Sequence, residues 1–184
     1  MIEERIVIGL VVERRQIDSA WAETQIESHA WRPVAVFAVP PDVAPWTPLG
    51  SSPRGAMFYA GAQEIALYST ETGNYRDNLE HGTPKLWVVM RPDGVEPPVE
   101  IVAVTADPAE GEGHTEAGSN VVETIDMPPE VAAEVAAFVA EHHVERPMVK
   151  RKRDRQPPEG VRRIGGARHG APGGGAGGGD GGEG

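Results

Sequence analysis

Ile6-Val7-Ile8-Gly9-Leu10-Val11-Val12 decides the fold. The run is apolar at both alternating positions and rich in β-branched side chains, which predicts a strand covered on both faces near the middle of a sheet. It ends in Glu13-Arg14-Arg15, whose charges predict an exit to solvent. Further along, Val34-Ala35-Val36-Phe37-Ala38-Val39 predicts a second buried strand, introduced by Trp31-Arg32-Pro33 and stopped by Pro40-Pro41. Residues 40–54 hold five prolines around Trp46, which excludes a helix or a central strand and predicts a long loop. Within it Ser51-Ser52-Pro53-Arg54-Gly55 reads as a turn.

Ala56-Met57-Phe58-Tyr59 and Gln63-Glu64-Ile65-Ala66-Leu67-Tyr68 flank Ala60-Gly61-Ala62, the pattern of a hairpin in which Gly supplies the turn. Residues 70–82 predict a short helix with Thr70 as its cap and Gly82 as its stop. Leu86-Trp87-Val88-Val89-Met90 and residues 99–105 predict neighbouring antiparallel strands joined through Pro92-Asp93-Gly94. Asp107-Pro108-Ala109-Glu110 looks like a helix start, although Gly111, Gly113 and Gly118 make any helix there marginal. Val121 to Ile125 predicts one more short strand. The clearest helix starts at Pro128-Pro129, with Val131, Val135, Phe138, Val139 and His142 forming one stripe that should pack on the sheet. About six strands without β-α-β alternation predict an α+β fold, a mostly antiparallel sheet or half-barrel with a C-terminal amphipathic helix.

Residues 171–184 are almost all Gly and offer too little apolar surface to offset the entropy of ordering, so residues 145–184 are predicted to be a disordered tail, basic and then glycine-rich, behind a domain of residues 1–144. Charge divides at the same place. Residues 1–143 carry 8 Lys+Arg against 23 Asp+Glu, whereas residues 144–184 carry 9 against 5. So acidic a body is repelled by phosphate backbones, which leaves only the tail as a nucleic-acid binder. The absence of Cys excludes disulfides, iron–sulfur ligation and thiolate zinc sites. An acidic N-terminus and no long apolar run predict neither a signal peptide nor a membrane span, with the cytoplasm as the default location.

The basic run Lys150, Arg151, Lys152, Arg153 and Arg155 reads either as a grip on an acidic protein, a phosphate-rich cofactor, anionic lipid or RNA, or as a solvated extension. No aromatic residue interleaves it, against stacking on single strands. His142 and His143 are adjacent and point about 100° apart on a helix, so they cannot chelate together, and the helix dipole explains a His there more simply. Glu110, Glu112 and Glu116 around His114 read as a solvated loop. There is no Gly-x-Ser-x-Gly elbow and no Cys nucleophile, so covalent catalysis has no evident seat and no catalytic residue or metal ligand is assigned. Trp87 reads as core. Trp31 and Trp46 lie in Arg- and Pro-rich connections, where a half-exposed ring is a lid on the core or a recognition anchor.

The order of segments IVIGLVVERR (6–15), WRPVAVFAVP (31–40), APWTPL (44–49), MFYAGAQEIALYSTETGNYRDNLE (57–80), LWVVMRP (86–92) and FVAEHHVERPMVKRKRDR (138–155) resembles a bacterial family of unknown function encoded beside molybdenum-dependent formate dehydrogenases. Some of its members carry the label molybdopterin-guanine dinucleotide biosynthesis protein A. That label implies a nucleotidyltransferase, yet the first strand here runs into Glu13-Arg14-Arg15 without a Gly-rich nucleotide loop. The resemblance implies instead a non-enzymatic accessory role in assembly, cofactor insertion or regulation, with a formate dehydrogenase subunit or its maturation proteins as partner and no cofactor of its own. Trp31, Arg32, Trp46 and the basic run are then the candidate contacts. The alternatives are an enzyme or carrier of molybdopterin or its guanine dinucleotide, and RNA or anionic-lipid binding through the tail.

Overall fold

A computed structural model describes residues 1–16, 29–92 and 99–144, all within one compact unit, Met1–Glu145. The predicted turn at Asp93-Gly94 and the predicted tail, including Lys150, Arg151, Lys152, Arg153 and Arg155, lie outside the described residues. The α+β class holds, with two antiparallel sheets among the described residues. The first has the order β2-β1-β4-β3, built from β1 (Glu3–Gln16), β2 (His29–Phe37), β3 (Thr47–Ser52) and β4 (Gly55–Tyr68). The second has the order β6-β5-β7, built from β5 (Lys85–Pro92), β6 (Val99–Thr105) and β7 (Val121–Asp126). Strand β4 lies against β6 and β2 against β7, so apolar faces of the two sheets meet.

The deciding stretch occupies the middle of β1, which pairs with β2 on one side and β4 on the other. Ile8, Leu10 and Val12 are fully covered and join Ile65, Leu86, Val88 and Met90 in one core. Burying each such side chain is worth about 1.5–3 kcal/mol. Strands β5 and β6 are antiparallel neighbours, as their sequence suggests.

Helices α1 (Thr72–Glu80) and α3 (Pro129–His142) pack on each other. The predicted stripe of α3 is its buried side: Val131, Val135 and Phe138 are covered, and Phe138 meets Tyr75 of α1 edge-on at 6.3 Å. Helix α1 starts after Glu71 rather than at a Thr70 cap, and no side chain caps it. Its anchor is instead Asn78, whose amide donates to the carbonyls of Lys85 and Ala106 (2.8 and 2.9 Å) and accepts from the Lys85 N–H (3.0 Å). Helix α2 (Pro108–Gly113) does form, because the Asp107 carboxylate accepts from the Ala109 and Glu110 N–H groups and Pro108 opens the first turn. A 3-10 turn, His114–Ala117, continues it.

Three expectations are corrected. The hairpin at Gly61 is one continuous strand, β4, because β1 is long enough to pair with both halves and a reversal would leave half of it bare. Gly61 marks a bulge, at φ 108°, where Pro45 comes within 3.2 Å of the place a Cβ would take. Among the described residues the second strand is an edge rather than a buried strand. It begins at His29 and takes in Trp31, Arg32 and Pro33, leaves Val34 and Phe37 exposed, and tolerates Pro33 because an edge has one unpaired side. The loop of residues 40–54 contains β3, a second edge strand closed onto β4 through Pro53-Arg54.

Candidate functional site

Two features meet at the end of the first sheet where β1 runs out. The first is aromatic. The Trp31 and Trp46 rings pack edge-to-face with centroids 5.9 Å apart, and Phe58 of β4 lies 5.8 Å from Trp31. Arg14 pairs with Trp31 across the β1–β2 ladder, and its guanidinium carbon stands 5.9 Å from the Trp31 ring and 5.3 Å from the Phe58 ring. Such stacked guanidinium groups gain about 0.5–1 kcal/mol when exposed and more when dry. Both tryptophans are half-buried against the core, so they close its end while keeping an open edge. Trp46 holds this place with φ at 65°, the one non-glycine residue with positive φ among those described. Its N–H donates to the Tyr59 carbonyl at 2.5 Å, which fixes the chain as it enters β3.

Arg32, predicted as a contact beside Trp31, turns instead to β7, where it sits 3.6 Å from Glu123. An ion pair this exposed contributes at most about 1 kcal/mol. The structure therefore brings Trp31 and Trp46 together and gives the cation beside them to Arg14, which sequence reasoning did not single out. The signal was the period of two that puts Arg14 out of step with Glu13 and Arg15.

The second feature is a cleft of about 410 Å³ beside the β3–β4 turn, with Glu13, Arg15, Ser52 and Arg54 as its polar lining and Val34, Pro53 and Met57 as its apolar lining. The sequence predicts that Glu13 reaches solvent, but its side chain is only 3% exposed. Neighbouring side chains cover it, and its two oxygens are separately engaged: Oε1 accepts from the Ser52 hydroxyl and Oε2 from Arg15 Nε at 2.5 Å. The Ser52 hydrogen bond, then that of Arg15, hold the Glu13 carboxyl below its ordinary range, outweighing the opposing desolvation. The Ser52 oxygen also accepts from the N–H groups of Arg54 (2.9 Å) and Gly55 (3.3 Å), so one hydroxyl both closes the turn and pins it to β1. Among the described residues, the Arg54 guanidinium is exposed and makes no hydrogen bond or ion pair.

The paired histidines part company. His142 meets Phe138 edge-on at 4.7 Å and lies 3.8 Å from Glu4, while His143 turns towards α1. There its Nε2 is 3.0 Å from Arg76 Nη1 and its Nδ1 is 3.1 Å from Thr72 Oγ1. Because a guanidinium only donates, Nε2 accepts and Nδ1 carries the hydrogen given to Thr72. Contacts to α1, more than the helix dipole, place this residue. Glu4, Glu141 and His142 bring three ligand-type atoms together; both carboxylates are exposed, while His142 Nε2 is buried and has no hydrogen-bond partner among the described residues.

A family model described as a protein of unknown function (DUF3305) matches residues 7–152. The chain belongs to this family. The DUF3305 match takes in Trp31, Arg32, Trp46 and every residue of the cleft, and it reaches Lys150, Arg151 and Lys152, while Arg153 and Arg155 lie beyond it. No curated protein and no solved structure matches the chain. Among the described residues of this DUF3305 protein, no helix is long and apolar enough to cross a membrane.

Proposed function

We propose that the chain is a non-enzymatic accessory protein that docks a molybdenum-dependent formate dehydrogenase subunit or one of its maturation proteins, serving assembly, cofactor insertion or regulation. The observation that supports docking is the cluster of Trp31, Trp46 and Phe58 with Arg14 laid across it. Trp and Arg are the side chains most enriched among residues that dominate binding energies. Rings already held by packing lose little freedom when a partner arrives. The choice of client is the one the sequence resemblance implies. The hydrogen bonds to Glu13 hold its carboxyl below the ordinary range, which disfavours it as a general acid near neutrality.

The test is copurification of tagged full-length protein from cells expressing a molybdenum-dependent formate dehydrogenase. The expected result is recovery of the dehydrogenase or a maturation protein, weakened by Trp46→Ala. Recovery of a pterin or guanine nucleotide without any dehydrogenase would overturn this reading in favour of a carrier or nucleotide-handling enzyme. Recovery of RNA or anionic lipid alone, lost when residues after Val144 are removed, would overturn it in favour of the basic run.

A further inference from the structure

We propose that the cleft beside the β3–β4 turn is a binding site for a single carboxylate carried on a small apolar body, with Arg54 and Arg15 as its donors. This is independent of which client, if any, the aromatic cluster receives.

Charge is the first ground. The cleft holds one carboxylate, Glu13, and two guanidinium groups, Arg15 and Arg54, so it carries one positive charge in excess. Ser52 occupies one oxygen of Glu13 and Arg15 Nε the other, so Glu13 meets Arg54 only through its charge and takes none of its hydrogens. A guanidinium donates five hydrogens in a fixed fork. Arg15 has committed its Nε edge to Glu13, which leaves its terminal nitrogens, and its side chain is 25% exposed. Arg54 has its whole fork uncommitted among the described residues and stands on a turn that Ser52 holds rigid. The backbone beneath Arg54 is placed in advance, so only its side chain is ordered on binding.

The remaining charge and shape select the ligand. One monoanion neutralises the cleft, whereas a phosphate dianion would leave it with a negative charge in excess beside the Glu13 carboxylate, which repels it. Planar guanidinium and planar carboxylate match in paired hydrogen bonds. Val34 and Met57 form apolar walls next to these donors, suited to the stem of the acid rather than to further polar groups. Two sources share this chemistry, a free organic acid and the C-terminal residue of a peptide.

The experiment titrates isotope-labelled full-length protein and follows its backbone and arginine Nε–H signals by nuclear magnetic resonance. The probes are hexanoate and hexanamide, a short acetylated peptide ending in a free leucine carboxylate and its C-terminal amide, and inorganic phosphate. Saturable shifts centred on Arg15, Arg54 and Met57 are expected with the acids and not with the amides. A preference between hexanoate and the peptide identifies the source, and either one binding supports the site. Arg54→Gln is expected to weaken binding by at least about tenfold, and Arg54→Glu to abolish it, with the signals of the core unchanged. Amides binding as well as acids, phosphate binding more tightly than both acids, no saturable shift with any probe, or undiminished binding by Arg54→Gln would each overturn the proposal.

Discussion

The Ser52 hydroxyl donates its hydrogen to the Glu13 carboxylate, linking the tip of the β3–β4 hairpin to β1 across 39 positions of sequence. A hydrogen bond to an ionised, covered acceptor is worth about 1.5–3 kcal/mol, and Ser52→Ala is expected to lose that much at neutral pH. Glu13 titrates below its ordinary range when folded, so its contribution is complete above the unfolded value near 4.5 and is lost as the pH falls through the folded value. The gap between wild type and Ser52→Ala, measured by urea unfolding, should therefore narrow in acid. What persists there is the share carried by the turn hydrogen bonds from Arg54 and Gly55. A gap that stays constant from neutral pH into strong acid would contradict this account.

Trp46 combines a favourable ring with an unfavourable backbone, at φ 65°. Replacement by Ala removes the ring and keeps the strain; replacement by Gly removes both. Trp46→Gly should therefore be more stable than Trp46→Ala by about 1–2 kcal/mol, an inversion of the usual order, while both fall below wild type. Paired thermal or denaturant melts decide it, and an alanine variant equal to the glycine variant would mean that the backbone relaxes.

Gly111 of α2 is required by contact and not by conformation. A Cβ there would stand 2.3 Å from Trp87 Cγ and 2.5 Å from Trp87 Cβ, atoms too near the β5 backbone to swing away. Gly111→Ala should cost about 1–3 kcal/mol by overpacking. Gly113, where a Cβ meets nothing within 4 Å, is the internal control. Gly113→Ala should be neutral or stabilising by up to about 1 kcal/mol, and equal costs at the two positions would remove the steric explanation.

Burial pushes the Tyr75 phenol up to about 12, and its oxygen accepts the Tyr68 N–H at 3.0 Å between α1 and β4. The folded state favours the protonated phenol, so this contribution is intact below the ordinary value of 10 and is lost as the pH rises towards 12. Alkaline titration followed by tyrosinate absorbance should show a late ionisation coupled to loss of structure. Tyr75→Phe should delete that phase and leave the one from Tyr59, which burial also raises. A full tyrosinate signal before any unfolding would refute the buried placement.

Much of this fold was legible in the sequence, for reasons that can be traced to particular residues. The double-sided apolar run of β1 announced a central strand, the spacing of Val131, Val135 and Phe138 announced α3, and Asp107-Pro108 marked the start of a helix that glycines then kept short. Gly61 was recognised as a break in strand regularity, but a bulge and a turn use the same residue. Only the length of the neighbouring strand distinguishes them.

The candidate site was half legible. Trp31 and Trp46 stand out in any reading because large rings flanked by Arg and Pro are unusual, and they do meet. Glu13, Arg15 and Arg54 did not stand out, since a charged triplet at a strand end normally means solvent and a turn arginine normally means nothing. Their grouping needs Ser52 to fold back over β1, a contact between segments 39 positions apart.

The sequence by itself determined the central place of β1, the pairing of β5 with β6 and the buried stripe of α3, because hydrophobic period and turn chemistry act between residues a few positions apart. Tertiary structure alone decided which strand is an edge among the described residues, that Glu13 is covered and compensated, that Arg14 rather than Arg32 lies on Trp31, and that a cationic cleft forms beside the β3–β4 turn. Those are pairings between distant segments, set by register and by the requirement that every covered charge find a partner, and no local pattern encodes them.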